Sequence, residues 1–256
     1  MSNILKMLCR GGEAAYVVDA ADFDGTNDYV TRGAGLTGAA DSKLFTFMQW
    51  FRMDAADGTQ LTILNGSTAG AFTGMKITRQ GADNKFRVLG RNAAGTNIVN
   101  ISTTTAYTQS ATWKCLMGSF DLADTAKRHL YVGDTSDLTV TTYTNDTLNF
   151  TTQDQWVYGA DEALVNKLNM AVAEGAYWFG QYLDLSVESN RRKLYSATGK
   201  PANIGTAGAT PTGTAAIMYF HLDDGEAVAN FATNRGTGGN FSITGALDVA
   251  STSPSD

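Results

Sequence analysis

The sequence predicts an all-β protein: a two-sheet antiparallel sandwich. Short runs rich in Val, Ile, Thr, Phe and Tyr dominate the chain, Gly, Asn and Asp separate these runs, and helical periodicity is nearly absent. Pro201, Pro211 and Pro254 all fall outside the candidate strands, so no proline interrupts a hydrogen-bonded ladder. A chain of 256 residues suits a single sandwich, because all-β domains often reach this length.

Candidate strands follow one another along the whole chain. In residues 113–117 every second side chain is Trp, Cys or Met, so these three fall on one face, as in a half-buried strand. Leu44–Met53 and residues 171–185 are apolar on both strand faces, as inner strands are. Turn-forming pairs such as Asp57-Gly58 lie between the runs. The candidate strands are residues 22–31, 44–53, 60–65, 74–79, 85–89, 98–103, 113–121, 129–132, 148–151, 155–158, 169–185, 215–221 and 241–244.

One segment carries the signals of a helix. Residues 186–195 begin with Ser186 as a candidate N-cap, place Glu188 in the first turn and basic residues near the end, and are followed by Gly and Pro. The sequence therefore predicts one short helix near residues 187–196, and we expect it to cover one edge of a sheet.

The chain is expected to form one domain with short additions at its ends. Residues 1–20 are interpreted as an N-terminal arm or first strand, residues 21–250 as the sandwich, and residues 251–256 as a C-terminal tail. The Gly/Ala/Thr/Pro-rich residues 205–214 are predicted to form a long surface loop, and the Thr-rich residues 139–152 an exposed strand face.

Composition argues against several classes of function. The chain has 25 acidic and 19 basic residues, a net charge of −6, and no basic stripe that could neutralise phosphates, so nucleic-acid binding is not expected. No apolar run is long enough for a membrane span, and residues 1–10 lack the apolar core of a secretory signal, so we expect no membrane partner and synthesis in a cytoplasm. Cys9 and Cys115 are expected to be free thiols.

Sequence motifs for enzymatic chemistry are missing, so we predict no catalytic residue and no enzyme. Residues 33–38 fit the string G-x-G-x-x-G, but a β run follows them where a dinucleotide site requires a helix. His129 and His221 lie outside metal-ligand spacings and are interpreted as ordinary strand histidines. No Glu-x-Asp-x-Glu strand is present, and the acids of residues 184–188 and 223–226 are interpreted as solvated turn acids.

A cluster of oxygen-bearing side chains lies near the N-terminal end of the sandwich. Asp22, Asp24, Asn27 and Asp28 could hold calcium, although the twelfth position of an EF-hand loop would be Gly33, which has no carboxylate. A turn in which Asp and Asn accept backbone N–H groups explains the same pattern. We therefore predict no cofactor and no metal ligand, with calcium as the alternative.

Aromatic side chains could form a platform for a sugar or a peptide. The candidates are Trp113, Trp156, Tyr158, Tyr177, Trp178 and Tyr182, most of which we expect in the core. Trp156 and Tyr158 share one alternation of a short strand just before an acidic loop. We therefore predict that Trp156 and Tyr158 form an accessible ligand-binding pair.

Several motifs resemble those of laminin-G-like and concanavalin A-like domains. The run FDGTNDYV at residues 23–30, followed by FTFMQWF at 45–51, is similar to the opening of these modules. WKCLMGSFD at 113–121 and RHLYVGD at 128–134 resemble their W-x-h-h-h-x-x-x-D and l-Y-v-D-G hairpin, with Gly-Asp in place of the usual Asp-Gly. The resemblance implies a jelly-roll sandwich of the concanavalin A-like type.

The last part of the chain resembles a C-terminal extension of laminin-G-like proteins of tailed bacteriophages and related particles. The similar segments are YLDLS at 182–186, NRRK at 190–193, GKP at 199–201 and NRGTGGNF at 234–241. The resemblance implies a non-enzymatic bacteriophage virion surface or structural protein, such as a head fibre, decoration or tail-associated module, that is assembled in the host cytoplasm.

The expected partners follow from that resemblance. They are other virion proteins, sister subunits in a homo-oligomer, and host-surface glycan, with residues 1–20 as the docking arm. Multivalent display would strengthen weak sugar contacts. A glycan depolymerase on the same sandwich fold and a purely structural cement protein stay open as alternatives, because one fold hosts many functions.

Overall fold

The computed structural model describes residues 16–256 and confirms an all-β, two-sheet antiparallel sandwich. The strands in chain order are β1 Val18–Asp19, β2 Ala21–Asp24, β3 Tyr29–Arg32, β4 Leu44–Met53, β5 Leu61–Thr68, β6 Ala71–Arg79, β7 Phe86–Arg91, β8 Asn97–Ser102, β9 Ser110–Asp121, β10 Arg128–Val132, β11 Thr135–Ser136, β12 Thr139–Tyr143, β13 Gln155–Tyr158, β14 Asn169–Phe179, β15 Met218–Phe220, β16 Leu222–Asp223, β17 Ser242–Thr244 and β18 Asp248–Val249. Helix α1 is Glu188–Arg191, and two 3₁₀ segments are Thr206–Gly208 and Val228–Ala232.

The strands form two large sheets and one small ribbon. The first sheet has the order β11-β10-β9-β4-β14-β2-β18, with β15 also paired to β14, and the second has the order β12-β8-β7-β6-β5-β13-β3-β17. Strands β1 and β16 pair with each other. Strands that follow one another in the sequence often lie apart within a sheet or in different sheets. Pairings between strands distant in the sequence therefore hold most of the architecture together.

The core between the two sheets is aromatic. Phe45 and Phe179 of the first sheet pack against Phe150, and the Phe150 and Phe179 ring centroids are 4.1 Å apart. Each such buried side chain contributes about 1.5–3 kcal/mol. Gly118 on β9 leaves room for the neighbouring Phe47 ring, since a Cβ there would lie 2.2 Å from it.

The first sheet is buried on its other face as well. There Met48 and Trp50 of β4, Cys115 of β9 and Trp178 of β14 belong to a second apolar cluster, which we call the outer cluster. The chain between β14 and β15 covers it: Tyr195 stacks on Trp50, and Trp178 Nε1 donates to the Gly208 carbonyl oxygen at 2.8 Å. This covering explains why β4 and β14 are apolar at both alternations.

The predicted helix is present but much shorter than residues 187–196. Helix α1 is a single turn that begins after Val187, without a side-chain cap. Ser186 does not act as the N-cap, because its hydroxyl donates instead to the Asp184 carboxylate at 2.6 Å. Leu185 and Leu194, on either side of the turn, are buried in the outer cluster, so the segment covers a sheet face, where we had expected an edge.

Residues 251–256 pack against the domain, so their prediction as a tail is wrong. Ser253 and Pro254 are buried. Arg52 of β4 donates to Ser251 Oγ at 3.2 Å and to Thr252 Oγ1 at 2.9 Å. These bonds attach the segment to the end of the first sheet.

Several strand boundaries also differ from the predicted ones. Residues 22–31 form two strands, β2 and β3, that belong to different sheets. Residues 148–151 make only an isolated bridge at Leu148, and β14 ends at Phe179 because Gly180 has a φ of +79°. Residues 18–19 form a first strand, one of the two alternatives for the N-terminal segment, while residues 1–15 with Cys9 lie outside the described residues.

Cys115 is a buried free thiol in β9, as predicted. Within residues 16–256, no helix is long and apolar enough to cross a bilayer.

Candidate functional site

The predicted aromatic pair is not accessible. Trp156 and Tyr158 are both 0 % exposed, and their shared alternation on β13 faces the core between the sheets. The Trp156 ring packs on Phe179, and Gly66 on the neighbouring strand makes room for it, since a Cβ there would lie 2.9 Å from the ring. The prediction is wrong because strand alternation places two residues on one face without saying which face that is.

The outer face of the first sheet carries a buried carboxylate instead. The pairing of β14 with β4 shifts register between Val172 and Gly175, and Glu174 lies in this bulge. Gly175 tolerates the close approach of Gln49, whose Oε1 would lie 2.3 Å from a Cβ at that position. The bulge places Glu174 beside Tyr219 of the outer cluster and Tyr16, which packs against that cluster. The Glu174 side chain is 0 % exposed.

Two tyrosine hydroxyls bind the Glu174 carboxylate. Its Oε1 accepts hydrogen bonds from Tyr16 at 2.6 Å and from Tyr219 at 2.7 Å, while Oε2 has no partner among residues 16–256. Burial raises the pKa of Glu174 to about 7, and the two tyrosine hydrogen bonds oppose that rise because they stabilise the charged form. Burial and the nearby carboxylate also raise the pKa of Tyr16 and Tyr219.

His221 connects this carboxylate to the surface. Its ring stacks on Tyr16, its Nδ1 lies 3.6 Å from Glu174 Oε1, and its Nε2 lies 2.8 Å from Asp223 Oδ1. Asp223 is exposed and also accepts from Arg235 at 3.0 Å. Burial lowers the pKa of His221, although hydrogen bonding to Asp223 opposes this. The Tyr16 hydroxyl, 3.3 Å from His221 Nδ1, completes a hydrogen-bonded path from exposed Asp223 through His221 and Tyr16 to the buried Glu174.

Beside this network lies an open pocket of about 340 Å³, which we call the Glu174 pocket although Glu174 itself is buried and does not line it. The buried side chains of Tyr219 and His221 and the partly buried Tyr16 line it together with Asn203, residues 205–207, Asp223 and Arg235. A tight loop shapes one wall, because Gly205 and Ala207 both have positive φ. Asn203 accepts the Gly205 N–H at 2.9 Å, and its amide nitrogen has no partner among the described residues.

Sequence reasoning missed this site. Glu174 was not a candidate, His221 was interpreted as an ordinary strand histidine, and Asp223 as a solvated turn acid. One signal was present: Glu174 is the only charged residue in the apolar run 170–179, and a glutamate in a buried strand requires partners.

The Asp and Asn cluster near the N-terminal end forms a turn. Asp24 Oδ1 accepts the N–H of Thr26 at 2.7 Å, which holds the pKa of Asp24 below its usual range. Asp28 is buried and accepts the N–H of Asp24 at 3.2 Å and that of Ala246 at 2.9 Å. Across residues 16–256, no group of three or more His, Cys, Asp and Glu side chains is arranged to hold a metal ion.

Comparison with known proteins identifies the fold. No family model and no curated protein matches the sequence. A candidate carbohydrate-binding protein from Bacteroides ovatus is similar in structure, with a TM-score of 0.61 and 14 % identity over 92 % of this chain, which spans 60 % of that protein. A heptameric SAP-like pentraxin from Limulus polyphemus has a TM-score of 0.56 and 10 % identity over 93 % of this chain and 97 % of its own. Domains LG4-5 of mouse laminin alpha1 have a TM-score of 0.45 and 16 % identity over 66 % of this chain and 44 % of theirs.

The chain therefore has a concanavalin A-like jelly-roll sandwich, as its motifs implied. At these identities the likeness shows the fold alone, so the function has to be argued from the site.

Proposed function

We propose that this protein is a non-enzymatic carbohydrate-binding module whose ligand occupies the Glu174 pocket. The observation that carries the proposal is the composition of this pocket, in which aromatic rings and planar hydrogen-bonding side chains line one open depression. The lectin-like fold supports the same function, and the Bacteroides ovatus neighbour is itself a candidate carbohydrate-binding protein.

The pocket matches the chemistry of a sugar. A sugar ring presents hydroxyls that both donate and accept hydrogen bonds, and C–H groups that pack on aromatic side chains. Asn203 offers a free amide N–H₂ group, Thr206 a hydroxyl and Asp223 a carboxylate, all on exposed residues, next to the Tyr16 ring. A volume of about 340 Å³ lies within the range of small-ligand sites.

A glycan depolymerase on the same fold is the second candidate. The observation that favours it is a pair of carboxyl groups on either side of His221: Glu174, with a pKa of about 7, and the exposed Asp223. A general acid must be within hydrogen-bond reach of its substrate, however, and Glu174 is fully buried with Oε1 bound to two tyrosines. We therefore favour binding without cleavage and expect no release of reducing ends from capsule or lipopolysaccharide.

For the biological setting we propose a virion surface, where the module contacts host glycan as a homo-oligomer. The motif resemblance of residues 182–241 to phage proteins supports this setting, and multivalency would make weak sugar contacts effective. Proteomics of purified particles tests it: absence of the protein from virions would refute the setting and leave the binding site untouched. A blank glycan array together with unstable particles on deletion would favour the structural cement alternative.

A glycan array followed by titration calorimetry tests the pocket. We expect Asn203→Ala to weaken sugar binding about fivefold to tenfold, because it removes a hydrogen-bonding side chain worth about 1 kcal/mol. Asn240→Ala is the control, since Asn240 is also exposed and its side chain makes no hydrogen bond in the described structure. Equal affinities of both variants and the wild type would place the ligand elsewhere.

A further inference from the structure

Several hydrogen-bond donors that line the Glu174 pocket have no acceptor within the described chain. The backbone N–H groups of Thr206 and Ala207 make no hydrogen bond among residues 16–256, and neither does the Nδ2 amino group of Asn203. All three residues line the pocket. Because polar groups at a binding site need partners when water is displaced, a ligand in this pocket has to supply acceptors to these donors.

The carbonyl groups of the same loop are already occupied. The carbonyl oxygens of residues 205–207 each accept a backbone N–H, at 3.0, 3.2 and 2.9 Å. These bonds, with the one from Trp178 Nε1 to the Gly208 carbonyl oxygen, fix the loop before a ligand binds. The main chain of this wall therefore offers donors without acceptors. A ligand hydroxyl bound there has to place its own proton elsewhere, whereas a carbonyl or carboxylate oxygen has no proton to place.

The charges around the pocket distinguish between these two kinds of acceptor. Asp223 lines the pocket, and Asp224 and Glu226 follow it in the same turn. Arg235 is the one permanently charged cation among the described residues that line the pocket, and it pairs with both Asp223 and Glu226. Lys200 belongs to a separate depression. Three carboxylates thus surround a single guanidinium, and this excess of negative charge disfavours a carboxylate on the ligand.

We propose that the ligand is a sugar with an N-acetyl substituent, whose acetamido carbonyl oxygen accepts the backbone N–H groups of Thr206 and Ala207. This inference rests on the proposed function and adds the substituent that the pocket recognises. The acetamido group is neutral and supplies an oxygen that carries no proton. Its N–H is a donor for the Asp223 carboxylate, which is 63 % exposed and keeps free lone pairs, and its methyl group suits the Tyr16 ring and the Ala207 methyl group.

The first test compares sugars that differ at a single substituent. Ligand-detected NMR titration measures the binding of glucose, glucosamine, N-acetylglucosamine and glucuronic acid, and of the corresponding galactose set. We expect each N-acetyl sugar to bind about tenfold more tightly than its hydroxyl parent, because its carbonyl oxygen satisfies donors of the wall without leaving a proton unpaired. The comparison uses the wild-type protein, so it does not depend on the folding of a variant.

Two variants at Thr206 test where the acetamido group binds. Thr206→Pro removes an N–H that has no partner among the described residues, and the φ of Thr206 is not positive, as proline requires. Thr206→Ala is the matched control, because it also removes the hydroxyl but keeps the N–H. We expect Thr206→Pro to reduce the preference for the N-acetyl sugar about fivefold and Thr206→Ala to keep it. Equal Tm values of the two variants establish that the proline variant is folded.

Each outcome decides the proposal. Tighter binding of the N-acetyl sugars, with the preference kept in Thr206→Ala and reduced in folded Thr206→Pro, supports it. N-acetyl sugars that bind no better than their hydroxyl parents, or a preference that Thr206→Pro leaves unchanged, refute it and leave the proposed sugar-binding function intact. Tighter binding of the free amine or of the uronic acid also refutes it, because the pocket would then select a charge. Binding of no sugar refutes the proposed function as well.

Discussion

Replacing Glu174 by Gln should remove a pH dependence of stability that the wild-type protein carries. The folded-state pKa of Glu174 is about 7, and its ordinary value is 4.5. A carboxyl group whose pKa is raised on folding holds its proton more tightly in the folded state. Its stabilising contribution is therefore complete below pH 4.5 and is lost as pH rises through 7.

The size of the effect follows from the two pKa values. Their difference corresponds to about 3 kcal/mol at about 1.4 kcal/mol per pKa unit. Between pH 5 and pH 8 the free energy of unfolding of the wild type should fall by about 2.5 kcal/mol from this group alone. In the Glu174→Gln variant the new amide side chain would carry no charge at any pH, and its oxygen would still accept the hydroxyls of Tyr16 and Tyr219.

The assay is urea unfolding of wild type and Glu174→Gln at several pH values from 5 to 8. The groups facing Glu174 are Tyr16, Tyr219, His221 and Cys115. Of these, His221 titrates nearest the window, and its lowered pKa acts in the opposite sense, costing stability as pH falls. We therefore compare the two proteins at each pH, which largely cancels the histidine contribution.

Between pH 5 and pH 8 the free energy of unfolding of the variant should rise by about 2.5 kcal/mol relative to that of the wild type. Glu188→Gln is the control: Glu188 is exposed, so removing its charge should leave the wild-type slope unchanged. Parallel pH profiles of wild type and Glu174→Gln would refute the reasoning, because they would mean that Glu174 is not a buried group that gains its proton on folding.

Further predictions concern the two cores. Arg79→Met should cost about 3–5 kcal/mol in urea unfolding, because the fully buried guanidinium donates to three backbone carbonyls that would be left unpaired. Gly118→Ala should cost at least about 1–3 kcal/mol and lower the Tm, since the new methyl group collides with Phe47; an unchanged Tm would contradict this packing. In a Cys9→Ser background, Cys115 should react with a thiol reagent only on unfolding, because burial keeps the thiol inaccessible and raises its pKa; rapid labelling of the native protein would show otherwise.

Local sequence signals were sufficient for the fold and for much of its strand content. Strands such as Leu44–Met53 were visible because a nearly continuous run of aromatic and other apolar residues lies between turn signals. The same signals failed for helix α1, whose side chains compete for other partners: Ser186 binds Asp184 and Arg192 binds Asp134. The Ser186 bond is a local one that competes with capping, whereas the Arg192 contact depends on where the β10–β11 turn lies in space, which local propensity does not encode.

The sequence by itself determined that this chain forms a layered β structure, because strand alternation and turn chemistry are properties of neighbouring residues. Only the tertiary structure decided which face of each strand is covered, since β4, β13 and β14 are apolar at both alternations and either face could have been the inner one. The same holds for the Glu174 pocket. Tyr16 and Glu174 are 158 residues apart and meet only because a β bulge and the first strand approach the same sheet face.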